Sequence, residues 1–143
     1  MKSRRFGPLR PERSPLGAPE LPQSIHDRAF DRGLDLFNHG RFFEAHEVLE
    51  DVWRALPRSS AAKKHLQGLV QLAVAFHHES RGNLRGARSV LDRALRNLTG
   101  AGTSFPDLDL DQLGADMANW QKHLAGAAPR PVPPCITSRN RQA

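Results

Sequence analysis

A chain of 143 residues with 38% hydrophobic and 25% charged residues has the size and balance of one soluble domain around a single core. Its lone cysteine, Cys135, excludes an internal disulfide and a multi-cysteine zinc site, and suits a reducing cytoplasm, the location expected here. The longest apolar stretch, residues 69–76 interrupted by Gln71, falls far short of the roughly 20 residues that cross a bilayer, and the basic N-terminus runs into prolines, so no membrane partner and no signal peptide are expected.

The net charge of +6 invites a nucleic-acid reading, but its distribution argues against one. Residues 1–23 hold five Lys/Arg against two Glu, and residues 126–143 hold three Arg and no acid. Between them, 13 basic residues face 13 acidic ones. The surplus lies in the ends, so contact with an anionic polymer is expected only through basic tails.

Five prolines in residues 1–23 predict a disordered leader. Ser24 and Asp27 then form a capping-box-like start, and Ile25, Ala29, Phe30, Leu34 and Phe37 recur at helical spacing over 25–38. Gly40 ends that helix. A second helix over about 41–56 closes at Pro57, and a third begins at Ser59 or Ser60 and runs to about Arg81. The third is apolar nearly all round, which marks a buried central helix. A fourth helix spans 84–98, with Leu84, Ala87, Leu91, Ala94, Leu95 and Leu98 inward, started by Gly82 or Asn83. Asp109 or Asp111 caps a fifth, with Leu110, Leu113, Met117, Trp120 and Leu124 on one stripe. Four prolines in 129–134 predict a disordered tail over 127–143, leaving a bundle domain over 24–126 with no strand.

Gly40-Arg41-Phe42-Phe43-Glu44-Ala45 and Gly82-Asn83-Leu84-Arg85-Gly86-Ala87 share the pattern Gly-x-apolar-x-x-Ala, 42 residues apart, and Leu49/Leu91, Trp53/Leu95 and Phe30/Leu72 keep that register. The expected fold is therefore all-α, a five-helix bundle of two stacked tetratricopeptide-like hairpins and a C-terminal capping helix. Positions that packing alone requires should match between the halves. His46 and Glu47 face Arg88 and Ser89, while Gln71, His77 and His78 face Ala29, Asp35 and Leu36, so these polar departures are the candidates for function.

At about 100° per residue His46 lies within the apolar stripe of the second helix, with Glu50 one turn on and Glu47 further round. Gln67, Gln71 and His78 form a polar margin on the third helix, and His77 falls on its apolar face. If these helices are antiparallel across the Pro57–Ser60 link, Glu50 lies opposite Gln67 and His46 opposite Gln71, with His77 near Phe42 and Phe43. His26, His39, His65 and His123 are read as lying at ends or on polar faces.

The motif Phe37-Asn38-x-Gly40-x-Phe42-Phe43-Glu44-Ala45-His46-Glu47-x-Leu49-Glu50-x-x-Trp53, followed by Leu66-Gln67-Gly68-Leu69-x-Gln71-x-Ala73, His77 and Gly82-Asn83, resembles the bacterial and archaeal family known as domain of unknown function 309. The resemblance covers about residues 27–98. It implies an all-helical fold, places the family signature on His46, Glu47, Glu50, Trp53, Gln67 and His77, and carries no assigned reaction.

Two functional readings follow. In one, His46, Glu47, Glu50 and His77 hold a divalent metal or do acid–base work, with Gln67 and Gln71 binding a small-molecule cofactor or substrate. His46-Glu47-x-x-Glu50 is similar to the His-Glu-x-x-His helix of zinc peptidases, but Glu50 stands where the second imidazole belongs. In the other, the chain is a non-catalytic protein- or peptide-binding module and the cluster is a satisfied structural network. Self-association through the fifth helix or a hairpin face remains open.

Overall fold

The computed structural model describes residues 26–139, and within them the chain is all-helical. The leader expected over 1–23 and the Ser24 cap lie outside the described residues. A π-helical turn, His26–Phe30, runs into α1 (Asp31–Asn38). It is followed by α2 (Phe42–Arg54), α3 (Ala61–Ser80), α4 (Leu84–Asn97), a 3-10 turn (Ala101–Thr103) and α5 (Leu110–Leu124).

The local signals act where the chemistry places them. Ser60 Oγ accepts from the Lys63 amide at 3.2 Å, Asn83 Oδ1 from the Gly86 amide at 2.9 Å and Asp109 Oδ1 from the Gln112 amide at 3.0 Å. Each satisfies one of the donors that a helix start leaves free. The two turns 42 residues apart are the same object. Gly40 (φ +79°) donates to the Phe37 carbonyl while Arg41 donates to Leu36, and Gly82 (φ +81°) donates to Glu79 while Asn83 donates to His78. Only a left-handed residue allows this pair of bonds, which is why glycine recurs there.

α3 is the central element. It packs against α2 on one side and α4 on the other, and α1 and α5 pack on the outer helices. Its Leu66, Leu69, Leu72, Ala73, Ala75 and Phe76 are all buried. The ring of Phe76 lies 6.0 Å from Phe37 of α1, 5.7 Å from Phe42 of α2 and 5.0 Å from Trp120 of α5, so one side chain joins three other helices. Where α3 crosses α4, Gly68 lets the backbones approach. A Cβ at this position would lie 2.6 Å from Leu98 Cγ and 3.0 Å from the Ala94 carbonyl oxygen.

The expectation of a disordered tail over 127–143 is corrected as far as Arg139. After Gly126 (φ +82°) the chain turns back and lies across the bundle as an extended strap. Ile136 is buried, Asn38 bonds to its main chain, and Leu108 and Ser138 form an isolated antiparallel bridge, the only strand-like pairing among the described residues. Prolines had argued against a helix here, correctly. They do not prevent an extended segment from docking on a preformed surface.

The Gly68 contact yields a first prediction. Gly68→Ala gains about 1 kcal/mol of helix propensity but overpacks a crossing that cannot yield at the Ala94 backbone, which costs about 1–3 kcal/mol. Urea denaturation should show a net loss of about 1 kcal/mol, whereas the same change at the open Gly114 on α5 should stabilise.

Candidate functional site

The seam between α2 and α3 contains most of the residues singled out from the sequence. Ala45, Leu49 and Val52 turn into the core, which leaves His46 and Glu50 at the margin of α2 with 25% and 34% of their side chains exposed. His46 Nε2 stands 3.3 Å from Glu50 Oε1, and Glu50 Oε2 stands 3.5 Å from Arg54. The Glu50 carboxylate is thus held between an imidazole and a guanidinium along one helix face, at i−4 and i+4.

His77 reaches the same seam from α3, at the level expected. It meets Phe43, whose ring lies 5.3 Å from His77 and 5.8 Å from His46. Phe43 is 52% exposed, one of three large apolar side chains on the described surface. At the other end of the seam, Lys63 Nζ sits 4.2 Å above the Trp53 ring. Trp53 Nε1 is buried and finds no acceptor within the chain.

Gln71 and His78 do not join this group. Gln71 points to α4, where its Oε1 accepts from Asn97 Nδ2 at 2.8 Å. The predicted pairing of Gln71 with His46 is therefore corrected. α3 has a neighbour on each flank, and the 100° between positions 70 and 71 turns the side chain from one to the other. His78, seven residues on, lies on that same flank beside Asn83 at 3.4 Å. Gln67 is exposed and lines a shallow hollow with Trp53, Arg58, Ser60, Lys63 and Lys64. Glu47 is exposed and lines a hollow along α2 together with His46, Glu50, Arg32, Asp51 and Arg54. No three His, Cys, Asp or Glu side chains among the described residues come together as a metal site would need.

His65, read from the sequence as uninformative, is 7% exposed. Its Nδ1 stands 2.7 Å from Ser104 Oγ, tying α3 to the turn before α5, and it also bonds to the Thr99 backbone. The signal was present: His65, Leu69, Leu72 and Phe76 fall at i, i+4, i+7 and i+11 on one buried stripe. Burial lowers its pKa below the ordinary 6.5, with Lys64 adding to the effect and the Thr99 bond opposing it.

Part of the chain is similar to known proteins. Residues 30–90 match Domain of unknown function (DUF309). The matched segment runs from Phe30 through α3 into α4, and it includes the whole α2–α3 seam. An uncharacterised protein of Aquifex aeolicus (strain VF5) is 33% identical over 79 residues, 55% of this chain and 23% of that protein. The uncharacterised protein YpuF of Bacillus subtilis (strain 168) is 37% identical over 70 residues, 49% of this chain and 40% of YpuF. The chain thus spans well under half the length of either relative. No helix among the described residues is long and apolar enough to cross a membrane.

His65 gives a pH prediction. Its folded-state pKa is lowered, so as the pH falls below 6.5 the unfolded chain takes up a proton that the folded chain resists, and stability is lost. Urea midpoints of the protein should drop between pH 7.5 and 5.5, and His65→Gln should flatten part of that slope. An unchanged slope would remove His65 from the account.

Proposed function

We propose that this chain is a non-catalytic binding module that grips a partner segment along the α2–α3 seam. The observation that carries this reading is Phe43, a half-exposed aromatic ring flanked by the imidazoles of His46 and His77 on a face that packing does not explain. Its neighbour Phe42 is the structural residue, with its ring 5.2 Å from Phe37 and 5.7 Å from Phe76. An exposed aromatic beside polar groups is the usual composition of an interaction anchor.

The other end of the seam suggests the partner's chemistry. The hollow beside Trp53 is lined by Arg58, Lys63 and Lys64 and by no carboxylate. An apolar side chain seated on Phe43 and acidic groups facing the lysines would complement both ends. The matched segment also occurs within longer relatives, occupying 23% of one and 40% of the other, which fits a module carried by different chains.

Two measurements test this. Phe42→Ala should cost about 3 kcal/mol by denaturation, and Phe43→Ala under about 1 kcal/mol, since half of its surface is already in water. A photo-crosslinking residue at position 43 should then trap a defined partner in cells that a probe at exposed Arg88 on α4 does not. Lys63→Glu with Lys64→Glu should abolish that adduct. A large stability cost at Phe43, or no position-dependent adduct, sinks the reading.

A divalent metal held by His46 and Glu50, with Glu47 and His77, is the second reading. One observation favours it, the 3.3 Å approach of His46 to Glu50, which presents a nitrogen and an oxygen donor side by side. On the binding-module reading, excess chelator leaves the melting temperature unchanged and His46→Ala does not alter metal content. A chelator-dependent fall in melting temperature would transfer the site to the metal reading.

A further inference from the structure

The strap over residues 127–139 contacts the bundle as a bound peptide contacts a receptor. Asn38, at the end of α1, uses both atoms of its amide on one strap residue: Nδ2 donates to the Ile136 carbonyl at 2.8 Å, and Oδ1 accepts from the Ile136 amide at 2.7 Å. This pair of bonds reads main chain, while the burial of the Ile136 side chain requires an apolar residue there. Glu79, near the end of α3 and with only 10% of its side chain exposed, accepts from Arg130 Nε at 3.0 Å and from a terminal Arg130 nitrogen at 3.2 Å. That is the fork geometry in which a carboxylate selects arginine. Arg130 also lies over the Trp120 ring of α5, 5.2 Å from its centroid.

The strap's own pattern is that of a ligand. Pro134 and Ile136 are buried while Val132, Pro133, Cys135 and Thr137 face water, with Val132 79% exposed. Between Arg130 and Ile136 the run Pro131-Val132-Pro133-Pro134 lies beside Trp120 and Asn119. Proline-rich chain is extended before it docks, so little entropy is lost on binding. Main-chain bonds hold the strap's far end: Asp109 donates to the Thr137 carbonyl at 2.8 Å and Arg139 to the Asp107 carbonyl at 2.7 Å. Asn38 and Glu79 both lie inside the segment that matches DUF309, and the strap lies outside it.

We infer that Asn38, Glu79 and Trp120 form a receptor groove for an extended Arg-Pro-x-Pro-Pro-x-Ile segment. The chain fills the groove with its own residues 127–139 and can fill it by exchange with the same segment of a second copy. This surface lies apart from Phe43 and the α2–α3 seam, and the inference does not depend on the reading proposed for that seam.

The test uses the full chain with Arg130→Ala and Ile136→Ser, which loosen the strap and leave the receptor residues intact. A synthetic peptide of residues 127–139 is titrated in, followed by tryptophan fluorescence and by the Asn38 side-chain amide resonances. Saturable binding is expected, weaker by about tenfold or more when Glu79→Gln is added, because a charge-assisted pair is lost. Binding to the unaltered protein should also be at least about tenfold weaker, since the tethered strap competes at high effective concentration. Three results would each overturn the inference: a folded open variant that ignores the peptide, equal binding by the unaltered protein, or an open variant whose helicity and cooperative melting are gone. The last would show the strap to be an integral part of the core.

Discussion

The bundle depends on what α3 can hold at its C-terminal end. Phe76 brings Phe37, Phe42 and Trp120 to one point, each ring within 6.0 Å and two of them edge-on, the arrangement that the quadrupoles of aromatic rings favour. Three helices are positioned by that contact, and the residues beside it inherit their placement. Phe43 follows Phe42 and therefore faces outward where Phe42 faces in. His77 follows Phe76 and reaches the seam for the same reason. The candidate site is in this sense a consequence of the core, displaced by one residue on each helix.

Much of this was legible from residue spacing. Helical periodicity, three of the caps and the duplicated glycine turns depend on interactions within four or five residues, and the structure puts them at Ser60, Asn83, Asp109, Gly40 and Gly82. The antiparallel pairing of α2 and α3 was also readable, because a short link leaves few alternatives, and it set His77 beside Phe43 correctly. Gln71 was misplaced because spacing gives an angle around a helix and does not say which of two neighbours lies at that angle. His65 was missed for a different reason. Its place on the buried stripe was readable, but the partner that satisfies its ring, Ser104, is 39 residues away.

The strap shows the limit most clearly. Prolines in the sequence forbid helix and weaken strand, and disorder is what remains when local structure is all that is considered. What orders residues 127–139 is a set of contacts 51 and 98 residues distant, from Glu79 and Asn38. The charge reading changes with it. Arg130 had been counted with a basic tail free to meet an anionic polymer, but its guanidinium is engaged by Glu79 and lies against Trp120.

The two surfaces differ in how they satisfy their polar groups, and that difference bears on their roles. Along the strap the polar atoms of Asn38 and the carboxylate of Glu79 are paired within the chain, so a competing ligand must reproduce those bonds to displace it. Along the α2–α3 seam the polar groups lie at the surface, with 25% of the His46 side chain and 34% of the Glu50 side chain exposed, and Phe43 has half its surface in water. On the reading proposed for the seam, a segment that covers Phe43 would gain apolar burial without first breaking a bond made within the chain, whereas a ligand of the strap groove must displace bonds already formed.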